Sequence, residues 1–318
     1  MRNLFILIFL TVFANLTFAD GPPVDWQKTF GGSSHDDGRS VKQACDGGFI
    51  ITGALDWSGD KKALLIKTDT EGNEIWFKTF EKNSNDETHT VQQTKDGGFI
   101  LAGSTLNGAM SQDFWLIKTD ANGNKVWDKT YGGINTEYVY SVQQTNDGGY
   151  ILIGETFSFG EGNGDVWLVK TDVNGNKLWD RTFGGNELDS VREVLQTSDG
   201  GYIIAAYIRS YGSEGSNAWL IKTDTDGNKI WEKVLGGSEN EEALAMIQSI
   251  DGSYIITGGG ANTYIAGDKD IWLAKIQADC VNQPRSDLNG DCKVDIKDIA
   301  VISFEWLNCG RHPDMACW

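Results

Sequence analysis

An all-β fold made from one unit written five times is what this sequence predicts, and three patterns predict it. W-x-K recurs at Trp26, Trp76, Trp127 and Trp231, and as W-x-R at Trp179, with spacings of 50, 51, 52 and 52 residues. D-G-G recurs at Asp46, Asp96, Asp147 and Asp199, and as D-G-S at Asp251, with the same spacings. W-L-[IVA]-K begins at Trp115, Trp167, Trp219 and Trp272, with a leucine version beginning at Leu64. A fixed period of this kind marks a repeat architecture, in which each copy is one supersecondary unit.

Within a unit the elements follow in order. In the second copy they read TVQQT (90–94), FILAG (99–103), WLIKTD (115–120) and KVWDKTY (125–131). Each is short and rich in β-branched and aromatic residues, which predicts four strands. Asp-Gly-Gly joins the first two, and a turn such as Asn122-Gly123-Asn124 joins the last two. Such steps supply the positive φ of tight hairpins. Four antiparallel strands in about 50 residues suit a propeller blade.

The two ends are reciprocal. The first W-x-K strand, Trp26 to Phe30, has no partner strands before it, and the fifth unit has three strands (about 245–276) but no W-x-K after Trp272. The orphan at the start supplies what the end lacks. The prediction is a five-bladed β-propeller within 20–279, closed by its N-terminal strand and leaving no exposed sheet edge. An open β-solenoid, or a six- or seven-bladed ring shared by two chains, are the alternatives; the reciprocal ends favour a single-chain ring and hence a monomer. Nine of the twelve Trp fall at the two motif positions, where a flat side chain fills the space between blades.

Residues 1–19 read as a secretory signal: Arg2, an apolar run Leu4–Phe13, and small residues Thr17 and Ala19 before a cleavage site at Asp20. The run is too short to anchor in a bilayer, and no other stretch is apolar enough to span one. The predicted location is therefore extracellular. Of five Cys, Cys280, Cys292, Cys309 and Cys317 crowd into the last 39 residues. In an oxidising compartment they are candidates for two disulfides, with three connectivities open. Cys45 reads as a buried thiol in a strand.

The composition excludes some partners. The chain has 318 residues and a net charge of −18, so it offers no basic stripe for nucleic-acid phosphates or an anionic membrane. Three His limit any His-based chemistry, and neither G-x-S-x-G nor a Zn-type spacing is present. The glycosidase requirement of two spaced carboxylates is uninformative in so acidic a chain.

Binding groups are expected on one face. The connections between second and third strands (54–62, 104–113, 155–165, 207–217 and 259–270) are long and variable, and loops on a rigid scaffold collect function. They bring Trp57, Phe157, Phe159, Tyr207, Tyr211 and Tyr264, with polar neighbours such as Asn107, Asn163 and Arg209. Aromatic faces beside amides and carboxylates suit sugars; packing against neighbouring blades is the structural alternative. Five positions before each first-strand Val or Met stands an acid: Asp36, Asp86, Glu137, Asp189 and Glu241. They are candidates for a carboxylate ring at the channel mouth, or for a repeated bond to the loop's own N–H groups, which strict recurrence favours. Two positions after the Val or Met comes Gln43, Gln93, Gln144, Gln196 or Gln248, read as satisfying backbone groups between blades.

After Cys280 the repeat stops, and D-L-N-G-D-C-K-V-D-I-K-D spans 287–298. Oxygen side chains stand at loop positions 1, 3, 5, 9 and 12 (Asp287, Asn289, Asp291, Asp295 and Asp298), with Lys293 offering its carbonyl at position 7. This is the ligand pattern of an EF-hand-type calcium loop, and Ile296–Leu307 reads as the helix that follows it. Residues 280–318 are thus predicted to be a calcium-loop and helix module with calcium as its ion.

Two resemblances add to this. The repeats W-x-K-T-F-G-G, D-G-G-Y-I and W-L-I-K-T-D-x-x-G-N resemble a class of secreted bacterial and archaeal propeller repeats, and the unit length is similar to that of five-bladed lectins of the tachylectin type. Residues 287–302 resemble one type I dockerin repeat. That resemblance implies calcium at the five oxygen side chains, a cohesin-like or cell-surface partner, and a place in polysaccharide breakdown. The tail departs from the family in having one repeat rather than two, and Cys292 where a Gly is usual. The expected function is non-catalytic binding of an extracellular glycan or surface ligand through the long-loop face. A glycoside hydrolase or lyase and a plain scaffold are the alternatives.

Overall fold

The structure is a computed structural model and describes residues 24–277, apart from 57–59, 108–110, 211–214, 237–239, 250–251 and 262–268. The expected signal segment, calcium loop and tail cysteines lie outside the described residues. Those described are all-β, without a helix.

Among the described residues nineteen strands form five antiparallel meanders. The first holds β1 (Asp37–Gln43), β2 (Phe49–Leu55), β3 (Lys62–Thr68) and β4 (Glu74–Phe80). The second holds β5 (Glu87–Gln93), β6 (Phe99–Leu106), β7 (Gln112–Thr119) and β8 (Lys125–Tyr131). The third holds β9 (Glu137–Gln144), β10 (Tyr150–Thr156), β11 (Asp165–Thr171) and β12 (Lys177–Phe183). The fourth holds β13 (Ser190–Gln196), β14 (Tyr202–Ile208), β15 (Asn217–Thr223) and β16 (Lys229–Leu235). The fifth has three strands, β17 (Glu241–Gln248), β18 (Tyr254–Ala261) and β19 (Lys269–Ile276). The second strands run further than the patterns suggested, so Ala54, Glu155 and Tyr207 belong to strands rather than loops.

Sheets pack face to face in sequence. Ile100, Phe114 and Leu116 of the second meet Val142, Leu152 and Trp167 of the third, and the same positions recur at the other three junctions. Packing on both faces buries β7, β11 and β15 along almost their whole length and matches the run of four apolar residues in each. The W-x-K tryptophans lie across each junction, Trp76 edge-on to Phe99, Trp127 to Tyr150 and Trp179 to Tyr202, which accounts for the Trp content without ligands.

Polar repeats lock these junctions. Each Gln donates to the carbonyl of its own D-G-G turn, as Gln93 does to Gly97 at 3.2 Å, and Gln93, Gln144 and Gln196 also accept from the preceding unit's turn, Gln93 from Cys45 N–H at 2.8 Å. Each turn's Asp takes an ion pair from a buried Lys: Lys67–Asp46, Lys118–Asp96, Lys170–Asp147 and Lys222–Asp199, at 2.8 to 2.9 Å. In the turn itself Gly97 has φ +84°, and a Cβ on Gly98 would strike the carbonyl of Thr119. The structure corrects two expectations. Cys45 is exposed, because it sits in that turn and not in a strand. Residues 24–30 form no ladder; Trp26 instead packs on Phe49 of the first sheet.

Candidate functional site

The five-unit repetition makes departures from it conspicuous. At three surface positions the third unit carries Ile134, Tyr138 and Phe157, where the others carry Ser33, Asp37 and Asp56; Asn83, Glu87 and Leu106; Asn186, Ser190 and Arg209; or Ser238, Glu242 and Ala261. No other unit has more than one apolar side chain of the three. Packing of the repeat therefore does not require them.

The fold brings these three together at the junction of the second and third sheets, on the long-loop face. They line a groove of roughly 630 Å³ with Asn135, Thr136 and Asn163. Ile134 is 83% exposed, and Tyr138 and Phe157 are each 36% exposed. The rings of Tyr138 and Phe157 stand at 88° with centroids 6.2 Å apart, forming an apolar corner open to solvent.

Local bonds make the corner rigid. Asn135 donates its side-chain amide to the carbonyl of Phe157 at 2.8 Å and its backbone N–H to Ser158 Oγ at 2.9 Å. Phe157 N–H donates to the carbonyl of Thr136 at 3.1 Å. Glu137, fully buried behind the loop, accepts from Gly133 N–H at 3.0 Å and Thr156 Oγ1 at 3.1 Å. Phe159 is the groove's neighbour, its ring tilted over Trp167 at 5.2 Å.

Among the described residues none of the groove's lining side chains is Asp, Glu, His, Lys or Arg. Its polar groups are the amide of Asn163, the hydroxyls of Tyr138 and Thr136, and the remaining oxygen of Asn135. Just behind it, Asp113 and Glu137 crowd Gly132 together; burial, and for Glu137 also the nearby Asp113, pushes both carboxyls above their ordinary range.

The other sequence candidates fall elsewhere. Tyr207 lies in β14 beneath the guanidinium of Arg192, which also covers Tyr140, at 5.5 and 5.0 Å. Below them Glu155 accepts from Ser190, and burial raises its carboxyl. Asp36, Asp86, Glu137 and Asp189 accept backbone N–H groups of their own loops, from Gly32, Lys82, Gly133 and Gly185. Glu241 lies against Gly236 as Asp189 does against Gly184. Trp57, Tyr211 and Tyr264 lie outside the described residues.

Sequence reasoning missed Tyr138 and Ile134, although a column-by-column comparison of the units would have found them. It also missed a charged cluster around the start of β5. There Glu87 takes ion pairs from Lys61 at 3.2 Å and Arg39 at 3.4 Å, with His89 at 3.2 Å. Burial opposes the charge on Glu87, yet these neighbours hold its carboxyl at about 2. Among the described residues no three His, Cys, Asp or Glu side chains are grouped to hold a metal, and no helix is long and apolar enough to cross a membrane.

No known family model matches the chain. It is 24% identical over 196 residues to the regulatory protein FlaEY of Caulobacter vibrioides, a stretch covering 52% of this chain and 20% of that one. The chain thus spans about a fifth of that curated relative's length. Among solved structures it is similar to the WD40 domain of Neurospora crassa Pan2, with a TM-score of 0.48 and 10% identity over 76% of this chain and 63% of that one. It is also similar to an endo-arabinase of Bacteroides thetaiotaomicron, with a TM-score of 0.41 and 10% identity over 76% and 93% of the two chains. A thermostable family-43 glycoside hydrolase gives a TM-score of 0.42 and 9% identity over 78% and 92%.

Proposed function

We propose that this is an exported, non-catalytic glycan-binding protein whose scaffold is a single ring of five blades and whose ligand site is the groove at Tyr138 and Phe157. The observation that carries the reading is the apolar corner at one junction of an otherwise repetitive surface. Repetition conserves what folding needs, so three apolar side chains retained in one unit and held open to water point to a ligand. Rings at right angles present one face for the C–H side of a sugar and one edge against it, with amides and hydroxyls nearby for its hydroxyl groups. Among the described residues the groove's lining carries no carboxylate, whereas glycosidic hydrolysis needs two flanking the bond. That favours recognition over cleavage.

The C-terminal module belongs to the same proposal. Asp287, Asn289, Asp291, Asp295 and Asp298, with the carbonyl of Lys293, have the spacing of a calcium loop. The dockerin-like pattern supports attachment to a cohesin-like or cell-surface protein, with the cysteines as staples.

The test is retention of the mature chain, from Asp20, on a panel of soluble and insoluble polysaccharides, with calcium and with chelator. Retention that Phe157→Ala or Tyr138→Ala reduces at least tenfold is the expected result. Retention unchanged by both variants removes the groove from the account. Release of reducing sugar would bring back the hydrolase reading.

A further inference from the structure

The first strand of every sheet carries a bulge at the same place. The ladder skips Arg39 in β1, His89 in β5, Tyr140 in β9, Arg192 in β13 and Leu244 in β17. A bulge leaves one residue unpaired and re-aims its side chain. The bulge belongs to the fold, since all five sheets keep it. The residue it presents does not, because arginine, histidine, tyrosine and leucine all serve there.

Arg192 differs from its counterpart Arg39 in what surrounds it. Arg39 pairs with Asp37 at 2.9 Å and with Glu87 at 3.4 Å. At the position of Asp37 the fourth unit has Ser190, whose hydroxyl donates to Glu155. The adjacent Glu193 is engaged elsewhere, accepting from Met246 N–H at 2.9 Å. Among the described residues no carboxylate pairs with Arg192; its partners are two rings and a carbonyl.

The guanidinium is held in place all the same. It covers the ring of Tyr140 at 5.0 Å and that of Tyr207 at 5.5 Å, and Nη1 reaches the carbonyl of Val191 at 3.4 Å. Arg192, Tyr140 and Tyr207 are all half-buried, so water still reaches the cluster. Stacking on aromatic faces restricts the side chain without consuming its N–H donors. Val191 and the neighbouring Tyr140 hydroxyl leave most of the fork unused.

Such a fork is matched by a carboxylate from outside, through two parallel N–H···O bonds. Glu155 beneath it does not fill that role, since it is bonded to Ser190 and burial raises its carboxyl. Glu155 and the chain's net charge of −18 both disfavour a more highly charged anion such as a phosphate dianion.

We propose that Arg192, on the platform of Tyr140 and Tyr207, is the anchor of a second ligand site that takes the carboxylate of an acidic ligand. None of the three lines the groove at Tyr138 and Phe157, and the proposal does not rest on the glycan reading. Two sources offer the group, a hexuronic acid within a glycan and a non-sugar dicarboxylic acid, and the test separates them.

The experiment is titration calorimetry on the full mature chain with four probes: trigalacturonate, neutral galactotriose, glutarate and inorganic phosphate. At least one carboxylate probe is expected to bind about tenfold or more tighter than galactotriose and phosphate, and Arg192→Gln to remove that advantage. Arg192→Lys, which keeps the charge and loses the fork, is expected to lose most of it. Trigalacturonate ahead of glutarate assigns an acidic sugar, and the reverse a non-sugar acid. Phe157→Ala is expected to leave carboxylate binding within threefold, so failure of the groove and failure of this site are told apart. The proposal is overturned by acid and neutral probes binding alike, by phosphate binding tightest, by neither carboxylate binding, or by full binding in Arg192→Gln or Arg192→Lys. A loss on Phe157→Ala as large as on Arg192→Gln also overturns it, by merging the two sites. Should the Arg192 variants misfold, the unaltered chain decides. The Arg192 Nε–H signal in nitrogen-15 NMR is expected to shift on titration with the carboxylate probes, and an unmoved signal overturns the proposal.

Discussion

Replacing Asp147 by Asn tests whether the repeated Lys–Asp pairs hold the blade turns. Lys170 is buried and reaches Asp147 at 2.8 Å while also donating to the carbonyl of Thr171 at 2.9 Å. Burial opposes the charge on Asp147, but Lys170, Thr145 and the N–H of Gly149 hold its carboxyl at about 2, against an ordinary 3.8. At 1.36 kcal/mol per pKa unit that difference is worth roughly 2.5 kcal/mol. The Asp147 side chain is 60% exposed, so solvent screening cuts the carboxylate's own share to about 1 kcal/mol. The buried ammonium left without its counter-charge adds to this, giving an expected loss of roughly 1–3 kcal/mol at pH 7. The sign against pH follows from the depressed value. The stabilisation is present above about pH 4, where the unfolded carboxyl ionises, and is lost as pH falls towards 2. Denaturant unfolding of both proteins at pH 7 and at pH 2 is the assay, with the midpoints separated at pH 7 and converging at pH 2. An equal gap at both pH values would refute the ion-pair account, and so would no gap at pH 7.

The opposite sign is expected behind the groove and at the next junction. Burial raises the carboxyls of Asp113 and Asp165, so their ionisation costs stability at neutral pH; Asp113→Asn and Asp165→Asn should raise the unfolding midpoint at pH 7 and lose that gain below about pH 4. The fourth unit already has Asn217 at this position. Gly123 has φ +75° and a Cβ there would lie 2.7 Å from Trp76, so Gly123→Ala should cost at least about 1 kcal/mol in the same unfolding assay. Phe157→Ala and Tyr138→Ala should leave that midpoint within about 1 kcal/mol while reducing glycan retention, because both rings are partly exposed. Asp287→Ala with Asp298→Ala should abolish calcium binding by calorimetry and leave glycan retention intact.

What the amino-acid sequence determined by itself was everything local and repeated. Strand-forming runs, Asp-Gly-Gly turns and the two tryptophan motifs each depend on neighbours within about ten residues, and five copies make the pattern unmistakable. The capping role of the loop acids was legible for the same reason: Asp189 stands four residues from the Gly185 N–H it binds. Strand ends were less so, because Glu155 and Tyr207 look like loop residues until the sheet pairs them with Val166 and Ala218. A comparison of the units marks Ile134, Tyr138 and Phe157 as departures from the repeat, but only the packing of the second sheet on the third brings them into one groove. Ile134, Tyr138 and Phe157 come from two loops and a strand start, and sequence reading singled out Phe157 alone. A binding surface is a property of elements that meet across a junction, and no periodicity along one strand encodes it. The Arg192, Tyr140 and Glu155 cluster has the same origin, its members drawn from β13, β9 and β10. Composition made the chain acidic, but only packing decided which carboxyls became costly, since that depends on how much water each one keeps.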